Sequence, residues 1–572
     1  MIGVFRAASR GRAEKLRPIF FIQLHSVREF AMGSVRTRLS IMMFLQYYVW
    51  GSWGVEIGGY MGGTLKFTGL EIGAVYSSTA IAAMISPLFM GYVADRWLST
   101  EKVLAMLHLL GAVLLGAAAF SHGILEQFPA LENQFNVLYP LMIAYALCYM
   151  PTLALTNSIS FENIQEPEKE FPIIRVFGTL GWIAAGWGVG LLLKVKPDSV
   201  LYGPITAVIP ADSFLFNPNN FMVMAAVSSV LLGAFCFTLP HTPPKRAAGA
   251  EPQGDRKSIL RLLADPSFLV FTLSSFLICI PLAFYYNLAN VFLQETDAPA
   301  PTALQTLGQV SEVGFMAAMP LFISLLGVKR MLAIGMLAWV ARYYCFGTLN
   351  LPLIVVGLVL HGVCYDFFFV ASQIYVDAKA HASQRASAQS FIAFITLGLG
   401  MFVGAYAAGY VHDLYPSHYS KLLVVDEQGE PRHAKEGRLL TTALPNWDPT
   451  GKTGIAKAYG LSAEKGISLS NIPDPFIDPD AHYTYSQQGI EMTLRSIDQK
   501  VGDGDGVVTR AEWRKAQSYD WQKIWMWPQA GAALTLIFFW FGFRQRITPA
   551  EKAEMIEEAV LGAGEGPEPQ VG

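Results

Sequence analysis

The sequence predicts an all-α membrane protein in which twelve transmembrane helices form two six-helix halves. Three observations lead to this fold class. Hydrophobic residues make up 53% of the 572 residues and charged residues only 15%, whereas a soluble domain carries about 25% charged residues. Apolar runs of about 20 residues, the length that a helix needs to cross hydrocarbon, recur along the chain. A polar, proline-containing linker divides these runs into two equal sets.

Twelve apolar runs, named here spans 1 to 12, account for most of the chain. They cover residues 39–61, 70–93, 103–121, 137–159, 172–194, 220–240, 267–292, 304–326, 330–348, 352–375, 387–411 and 523–543. An even number of spans places both termini on the same side of the membrane. Lys and Arg are more frequent in the short loops after even-numbered spans than after odd-numbered ones. The positive-inside rule therefore predicts that both termini and the linker lie in the cytoplasm.

Seven segments make up the predicted domain organisation. They are a basic N-terminal extension at 1–35, spans 1 to 6 at 36–240, a cytoplasmic linker at 241–262, spans 7 to 11 at 263–412, a soluble external insertion at 413–521, span 12 at 522–545 and a cytoplasmic tail at 546–572. The apolar core of the basic extension is too short for a signal peptide. The extension is therefore either a basic arm on the cytoplasmic side or a segment that precedes a native start at Met32. Two six-helix halves are expected to enclose a central binding site.

Carboxylates inside apolar spans are the first candidates for a function. Asp366 lies near the centre of span 10, and Glu312 lies in span 8. A carboxylate at the centre of a membrane helix costs about 2.5–3.5 kcal/mol on insertion scales, so such groups usually face a polar interior and take part in binding or proton transfer. The alternative is that Asp366 only pairs with a neighbouring helix. Glu56 in span 1 is a further acid, to which we assign no role.

Span 5 carries three polar or aromatic residues on one helix face. Arg175, Thr179 and Trp182 follow one another at i, i+4 and i+7, a spacing that aligns side chains on a helix. A guanidinium donates hydrogen bonds to the hydroxyls and carbonyls of a polar ligand, and an indole offers a flat apolar surface to a base. Alternatively, Arg175 extends to the cytoplasmic interface, because it lies near the start of its span.

Spans 8 and 10 add further groups suited to ligand binding. Gln309 and Glu312 lie at i and i+3, so an amide and an acid share one helix face. His361 and Tyr365 lie one turn apart, beside Asp366. Tyr365 can stack on a base or donate a hydrogen bond to it. His361 is equally consistent with a ligand contact and with a core histidine whose ring nitrogens are satisfied by neighbours.

Several short segments occur in the order and spacing of a known family. They cover 44–53, 65–67, 72–78, 91–98, 175–179, 309–312, 366–368 and 385–389. Together they resemble the bacterial nucleoside:proton symporter family of the major facilitator superfamily, over residues 36–412 and 521–545. The resemblance implies a twelve-helix fold, alternating access, and nucleoside uptake driven by the proton gradient. It does not extend to the N-terminal extension or the external insertion.

The resemblance also implies roles for individual residues. It assigns Gln309 to the ligand and Glu312 to both the ligand and the proton, with Glu312 or Asp366 as the proton carrier. Asp95 and Arg96, which follow span 2, match the superfamily's loop signature. They are therefore expected to hold the two halves together while the site faces outward. The alternative is an ordinary pair of charges at the membrane interface.

Two positions depart from the family pattern. Where some members carry a Gln and an Asn one turn apart in span 7, this chain has Ala283 and Tyr286, with Asn287 adjacent. We include Tyr286 and Asn287 among the candidate substrate-binding residues, and the preference for purine or pyrimidine nucleosides stays open. The second departure is His361, because the family pattern has an aromatic residue there.

The external insertion contains a segment that follows the pattern of an EF-hand calcium loop. Asp503 and Asp505 take positions 3 and 5, Val507 supplies a carbonyl, Thr509 takes position 9 and Glu512 takes the bidentate position 12. Position 1 is a valine, and the nearest upstream acid lies three residues too early. The segment is therefore either a weak calcium site or a Gly-Asp-rich turn that binds no metal.

The sequence as a whole indicates a proton-coupled nucleoside transporter of the cytoplasmic membrane, with nucleosides, protons and the lipid bilayer as its partners. Two alternatives stay open, namely a calcium-responsive sensor on a transporter fold and a symporter for another small polar solute such as a sugar. We expect no enzymatic activity, because the spans contain no nucleophile–base set and no HExxH pair. We also expect a monomer with no nucleic-acid partner and no required cofactor, since the five cysteines show no zinc-binding spacing.

Overall fold

In the computed structural model of this chain, helices make up nearly all of the residues that the structure describes. The structure describes residues 35–96, 99–165, 167–193, 217–243, 262–296, 298–380, 385–416 and 502–544, with short pieces at 421–423, 441–443, 467–468, 476–477, 484–485, 494–495 and 497–499. Within these ranges, nine helices are long and apolar enough to cross a membrane. The predicted class, a helical membrane protein, is therefore confirmed.

The first half of the bundle contains spans 1 to 6. Its helices cover 35–54, Glu56–Gly59, Gly69–Arg96, Thr100–Ala119, Ser121–Gln127, Gln134–Asn163, Pro167–Trp187 and Asn220–Cys236, with a 3-10 turn at Pro129–Leu131 and π-helical segments at Tyr60–Thr64 and Gly188–Leu193. Span 6 is shorter than the sequence predicts, since its helix has 17 residues. Asn133 caps the span 4 helix, because its side chain accepts a hydrogen bond from the Asn136 backbone N–H, a donor that the first turn leaves unpaired.

The second half contains spans 7 to 12. Its helices cover Pro266–Glu295, Pro301–Gln305, Leu307–Ala317, Met319–Gly347, Leu351–Val359, His361–Tyr365, Ala371–Lys379, Arg385–Ala393, Met401–Leu414 and Trp521–Gly542, with π-helical segments at Asp366–Val370 and Phe394–Gly400. Gly327 has φ 68° and ψ 163°, a conformation that glycine adopts without steric cost. This residue therefore separates spans 8 and 9, as the interval between the two apolar runs predicts.

Buried apolar side chains form two clusters, one in each set of spans. The first cluster is drawn from residues 39–239 together with Leu397 and Ala405. The second is drawn from residues 268–543 together with Ala80. Each set of six spans thus buries an apolar surface of its own, and only these three residues belong to the cluster of the opposite half among the buried residues that the structure describes.

Spans 2 and 11 pack closely across the two halves. Their contact lies at the end of the bundle where residues 413–521 connect span 11 to span 12, which we name the insertion end. Gly69 and Gly409 face each other there, and a Cβ atom on either would collide with the carbonyl oxygen of the other. The Asp413 carboxylate accepts hydrogen bonds from the backbone N–H groups of Gly69 at 2.6 Å and Leu70 at 2.9 Å. A negative charge at a helix N-terminus is favourable, so this contact stabilises the junction.

Short strands in the insertion are a departure from the predicted all-α fold. Three antiparallel pairs join β1 (Lys421–Leu423) to β2 (Thr441–Ala443), β3 (Ile467–Ser468) to β6 (Val507–Val508) and β4 (Phe476–Ile477) to β5 (Thr484–Tyr485). A helix at Arg510–Gln517 follows β6. Strands of two or three residues are too short to show the alternation of apolar and polar residues by which a sequence reveals a strand.

Candidate functional site

A cavity between the two halves brings together residues from spans 1, 5, 7, 8 and 10. It is lined by Tyr47, Trp50, Gly178, Thr179, Trp182, Tyr286, Gln309, Glu312, His361 and Tyr365. Seven of these ten residues are candidates from the sequence, namely Thr179, Trp182, Tyr286, Gln309, Glu312, His361 and Tyr365. The helix faces identified one span at a time therefore meet in one place.

The wall from the first half is aromatic and contains one buried cation. The guanidinium carbon of Arg175 lies 4.2 Å from the centroid of the Tyr47 ring. Trp50 and Trp182 pack edge to face, with ring centroids 5.4 Å apart. Gly178 keeps space open beside them, because a Cβ atom there would meet both the Arg175 guanidinium and Tyr47. Arg175 is only 1% exposed, so the alternative in which it extends to the membrane interface is wrong.

Tyr47 and Trp50 are site residues that the sequence analysis did not identify. They lie three positions apart in span 1, so their side chains share a helix face. Both also lie within the family segment 44–53. Their shared helix face, within a segment that resembles the family, could have identified them from the sequence.

The wall from the second half carries an acid and an amide. Gln309 and Glu312 both reach the cavity from span 8, as their spacing predicts. His361 Nε2 lies 3.9 Å from Glu312 Oε2. Spans 8 and 10 approach closely because Gly362 faces the span 8 backbone, and its N–H donates a hydrogen bond to Ser311 Oγ at 3.0 Å. Glycine at this position therefore permits the contact between His361 and the acid.

Asp366 is buried and does not line this cavity. It begins the π-helical segment Asp366–Val370, and such segments within α-helices are frequent at functional sites. Both of its carboxylate oxygens lack a hydrogen-bond partner among the residues that the structure describes. Within the described part of the chain, Asp366 therefore has no partner of the kind that a purely structural pairing requires.

Arg342 in span 9 is a buried cation that the sequence analysis missed. It is completely buried, and its Nε donates a hydrogen bond to the Gly357 carbonyl at 3.1 Å. Its Nη2 lies 3.0 Å from His361 Nδ1, and its guanidinium carbon lies 3.7 Å from the centroid of the Tyr285 ring. An arginine inside an apolar span raises the free energy of membrane insertion, as an acid does. Its position in span 9 could therefore have identified Arg342 from the sequence.

Asn287 is a candidate that lies away from the cavity lining. The Asn287 side-chain amide donates a hydrogen bond to the Ala405 carbonyl at 3.2 Å, so it joins span 7 to span 11, whereas its neighbour Tyr286 lines the cavity. Asp95 and Arg96 end the span 2 helix. Their side chains lie outside the described residues, so the gating role of this pair stays a prediction.

Polar contacts join the two halves between the cavity and the insertion end. The Glu56 carboxylate accepts a hydrogen bond from Thr302 Oγ1 and another from Gln294 Nε2, the latter at 3.3 Å. We name these three residues the Glu56 cluster. Nearby, Trp187 Nε1 donates to Thr306 Oγ1 at 2.9 Å. These bonds connect spans 1 and 5 to spans 7 and 8, so they close the bundle on this side of the cavity.

The EF-hand-like segment brings three carboxylates together. Oxygen atoms of Asp498, Asp503 and Asp505 lie within 4.8 Å of one another. Asp498 therefore joins the group in place of a residue at position 1, although it lies three residues too early in the sequence. The loop folds back to allow this, because the Gly504 backbone N–H donates to the Asp498 carbonyl at 3.2 Å.

The remaining predicted ligands make contacts within the same segment. Glu512 Oε2 accepts a hydrogen bond from the Thr509 backbone N–H at 2.8 Å. Val507 lies in β6 and pairs with Ser468 of β3. Gly506 has φ 83°, which glycine tolerates, as the turn of a calcium loop requires. Calcium binding by this segment stays a prediction.

Comparisons with known proteins place this chain beside known transporters. The family model described as "Nucleoside H+ symporter" matches residues 33–425. The putative nucleoside transporter YegT of Escherichia coli (strain K12) is 40% identical over 379 residues, which cover 64% of this chain and 82% of that protein. The xanthosine permease of the same organism is 32% identical over 403 residues, covering 67% of this chain and 89% of that protein.

Solved structures are similar to this chain as well. The crystal structure of the nucleoside transporter NupG is 28% identical in sequence, with a TM-score of 0.56, and covers 67% of this chain and 92% of that chain. A bacterial homologue of the human lysosomal transporter Spinster is 13% identical, with a TM-score of 0.58, and shares the fold alone, over 91% of this chain and 99% of its own. The family resemblance seen in the sequence is confirmed.

Proposed function

Because the chain belongs to the nucleoside H+ symporter family, we propose that it takes up nucleosides together with protons across the cytoplasmic membrane by alternating access. The observation that carries this proposal is the cavity between two apolar halves, in which an aromatic wall faces an acid and an amide. Binding sites of secondary transporters lie near the bilayer midplane between such repeats. A site of this kind suits a solute with a flat base and several hydroxyls.

The proposed topology has twelve spans with the segment boundaries predicted above. The nine long apolar helices supply spans 2 to 5, 7 and 9 to 12. Helices at 35–54, Asn220–Cys236 and Leu307–Ala317 supply spans 1, 6 and 8. Residues 241–262 and both termini then lie in the cytoplasm, and the insertion end faces outward. The protein acts as a monomer in this proposal.

The nucleoside base binds against aromatic rings of both halves. Trp182 and Tyr286 line the cavity from opposite halves, with Tyr365 on span 10. Aromatic faces of this kind stack on planar rings. Thr179 and Gln309 supply neutral donors and acceptors to the hydroxyls of the ribose.

Glu312 and Asp366 carry the coupled proton. A charge buried without a partner is costly, and a carboxyl that has bound a proton no longer bears that cost. Asp366 has no hydrogen-bond partner among the described residues, and Glu312 stands at the cavity wall. Proton entry at this pair therefore permits the swing toward the cytoplasm, and release at lower proton activity resets it.

Alternating access requires contacts at each end of the bundle that break in turn. The Glu56 cluster and the bond between Trp187 and Thr306 join the halves at the insertion end, so opening to the outside must break them. We assign the complementary contact at the cytoplasmic end to Asp95 and Arg96. Transitions of this kind usually depend on an interface that can pack in either of two discrete ways.

The experiment that tests the proposal uses the purified chain in proteoliposomes. Uptake of radiolabelled uridine, adenosine and xanthosine is measured with and without an inward-directed proton gradient. We expect gradient-dependent accumulation of at least one nucleoside, with competition by unlabelled nucleosides and none by maltose or sucrose. If none of the three accumulates in response to the gradient, the proposal is rejected.

A further inference from the structure

Arg342 contacts His361 at the ring nitrogen opposite the one that approaches Glu312. Its Nη2 lies 3.0 Å from His361 Nδ1, while His361 itself lines the cavity. The Tyr285 ring lies 3.7 Å from the guanidinium carbon and stacks on the imidazole, with centroids 5.3 Å apart. Tyr365 also stacks on the imidazole, at 5.7 Å. A cation at one nitrogen and two tyrosine rings therefore hold His361 in one orientation.

This contact determines which nitrogen of His361 carries the proton. A guanidinium has five N–H donors and no acceptor, and it does not lose its proton in proteins. His361 Nδ1 can therefore share a hydrogen bond with Arg342 only by accepting it, which requires an unprotonated Nδ1. The neutral imidazole then carries its proton on Nε2, an assignment that follows from the hydrogen-bond partners.

His361 Nε2 and Glu312 lie close enough for one ligand atom to form hydrogen bonds with both. His361 Nε2 lies 3.9 Å from Glu312 Oε2, beyond the length of about 2.7–3.2 Å of a direct hydrogen bond. An oxygen at about 2.8 Å from both atoms would bridge them. A hydroxyl both accepts and donates, so it can accept from Nε2–H and donate to the Glu312 carboxylate. The sugar of a nucleoside offers such a group.

We propose that Arg342 is a positioning residue that holds His361 as a neutral Nε2–H donor, and that His361 and Glu312 together bind one ribose hydroxyl of the nucleoside. The inference rests on the proposed function and names the contact that selects the sugar. A site with a matched donor and acceptor discriminates against a ligand that lacks the hydroxyl, because its own polar groups are then left unpaired. Arg342 acts on selectivity only through His361.

Two substitutions of His361 separate its two nitrogens. The amide of His361→Asn reaches the place of Nδ1 and can accept from Arg342, but it leaves the place of Nε2 empty. The amide nitrogen of His361→Gln reaches the place of Nε2 and keeps a donor there. The readout is competition against uptake of uridine or adenosine, whichever is transported better, by the ribonucleoside and by its 2′-deoxy and 3′-deoxy analogues.

We expect the wild type and His361→Gln to prefer the ribonucleoside over one of the two analogues by about tenfold. In His361→Asn the preference for the ribonucleoside falls by about fivefold, which is the factor that one net hydrogen bond confers. An equal loss of affinity for all three compounds in His361→Asn would instead show a general effect on the cavity, and it would overturn the inference.

Arg342→Met tests the positioning role. Without the guanidinium the imidazole proton is free to move to Nδ1, so the preference falls by about fivefold. In the His361→Gln background no imidazole remains to be oriented, so the same substitution leaves the preference unchanged. Arg342→Lys keeps a charged donor and restores part of the preference. Arg330→Met, which removes an exposed cation from the same helix, is the matched control and keeps the wild-type preference.

The outcomes of the inference and of the proposed function are separable. A wild type that accumulates no nucleoside rejects the function itself. A wild type that transports, but whose preference for the ribonucleoside is the same in Arg342→Met and His361→Asn, overturns the inference alone. If Arg342→Met does not fold, as thermal unfolding in detergent would show, the comparison of His361→Asn with His361→Gln decides.

Discussion

Replacing Asp366 by asparagine separates transport from proton coupling. The substitution keeps the size of the side chain and removes its ability to carry charge. The two carboxylate oxygens of Asp366 have no hydrogen-bond partner within the described residues, so the substitution breaks no observed bond. Because Asp366 does not line the cavity, we expect Asp366→Asn to bind and exchange nucleosides with affinities within about threefold of the wild type, a small difference in free energy.

The magnitude of the loss follows from two energies. An unpartnered charge inside the membrane costs about 2.5–3.5 kcal/mol, or roughly a hundredfold in population, which ties the swing of the wild type to a bound proton. Each pH unit across the membrane is worth about 1.4 kcal/mol per proton. One coupled proton therefore supports up to about tenfold accumulation per pH unit, and Asp366→Asn should accumulate no nucleoside above the outside concentration.

The assay compares two modes of uptake in the same proteoliposomes. Counterflow exchange without a gradient reports binding and turnover, and net uptake with an inward proton gradient reports coupling. Glu126→Gln is the matched control, because its side chain is 69% exposed and is not among the residues that line the cavity. Gradient-driven accumulation by Asp366→Asn at the wild-type level would refute the reasoning. A loss of counterflow together with accumulation would show that Asp366 acts in binding instead.

Three further outcomes are expected. Trp182→Ala raises the KM for nucleosides up to about tenfold, the worth of one aromatic contact, and leaves the maximal rate within about threefold; an unchanged KM would remove Trp182 from the site. Glu56→Gln weakens the closure at the insertion end, so a Val55→Cys reporter, at a position that lines the cavity beside this closure, reacts about tenfold faster with an impermeant maleimide in a cysteine-free background, and an equal rate would contradict this. If the insertion loop binds calcium with a Kd of about 10⁻⁴–10⁻³ M, Asp498→Asn abolishes terbium luminescence sensitised by Trp513, whereas luminescence that persists would exclude Asp498 as a ligand.

Single helices carry enough information to reveal the acids and the helix faces. A carboxylate in an apolar run is expensive wherever the helix packs, so Asp366 and Glu312 stand out without a structure. The spacing of Gln309 and Glu312 predicts a shared face, and both residues line the cavity. The same reasoning applied to cations would have included Arg342, although it would not have named a partner.

Partners across the bundle depend on packing that spacing does not encode. Arg342 meets His361 because spans 9 and 10 pack at a particular register. Glu56 and Thr302 are 246 positions apart in the sequence, and only the closed insertion end brings them together. The same limit explains Asp498, since the carboxylate group at the insertion loop depends on a local fold of the backbone that the standard loop pattern does not contain.

The most direct test of the central claim measures protons rather than nucleosides. Proteoliposomes loaded with a pH-sensitive dye are given uridine, adenosine or xanthosine from the outside, with no gradient imposed. We expect the lumen to acidify when a transported nucleoside enters, and we expect no acidification in a chain that carries both Glu312→Gln and Asp366→Asn. Nucleoside entry into wild-type vesicles without any change in luminal pH would contradict the coupling of the two fluxes.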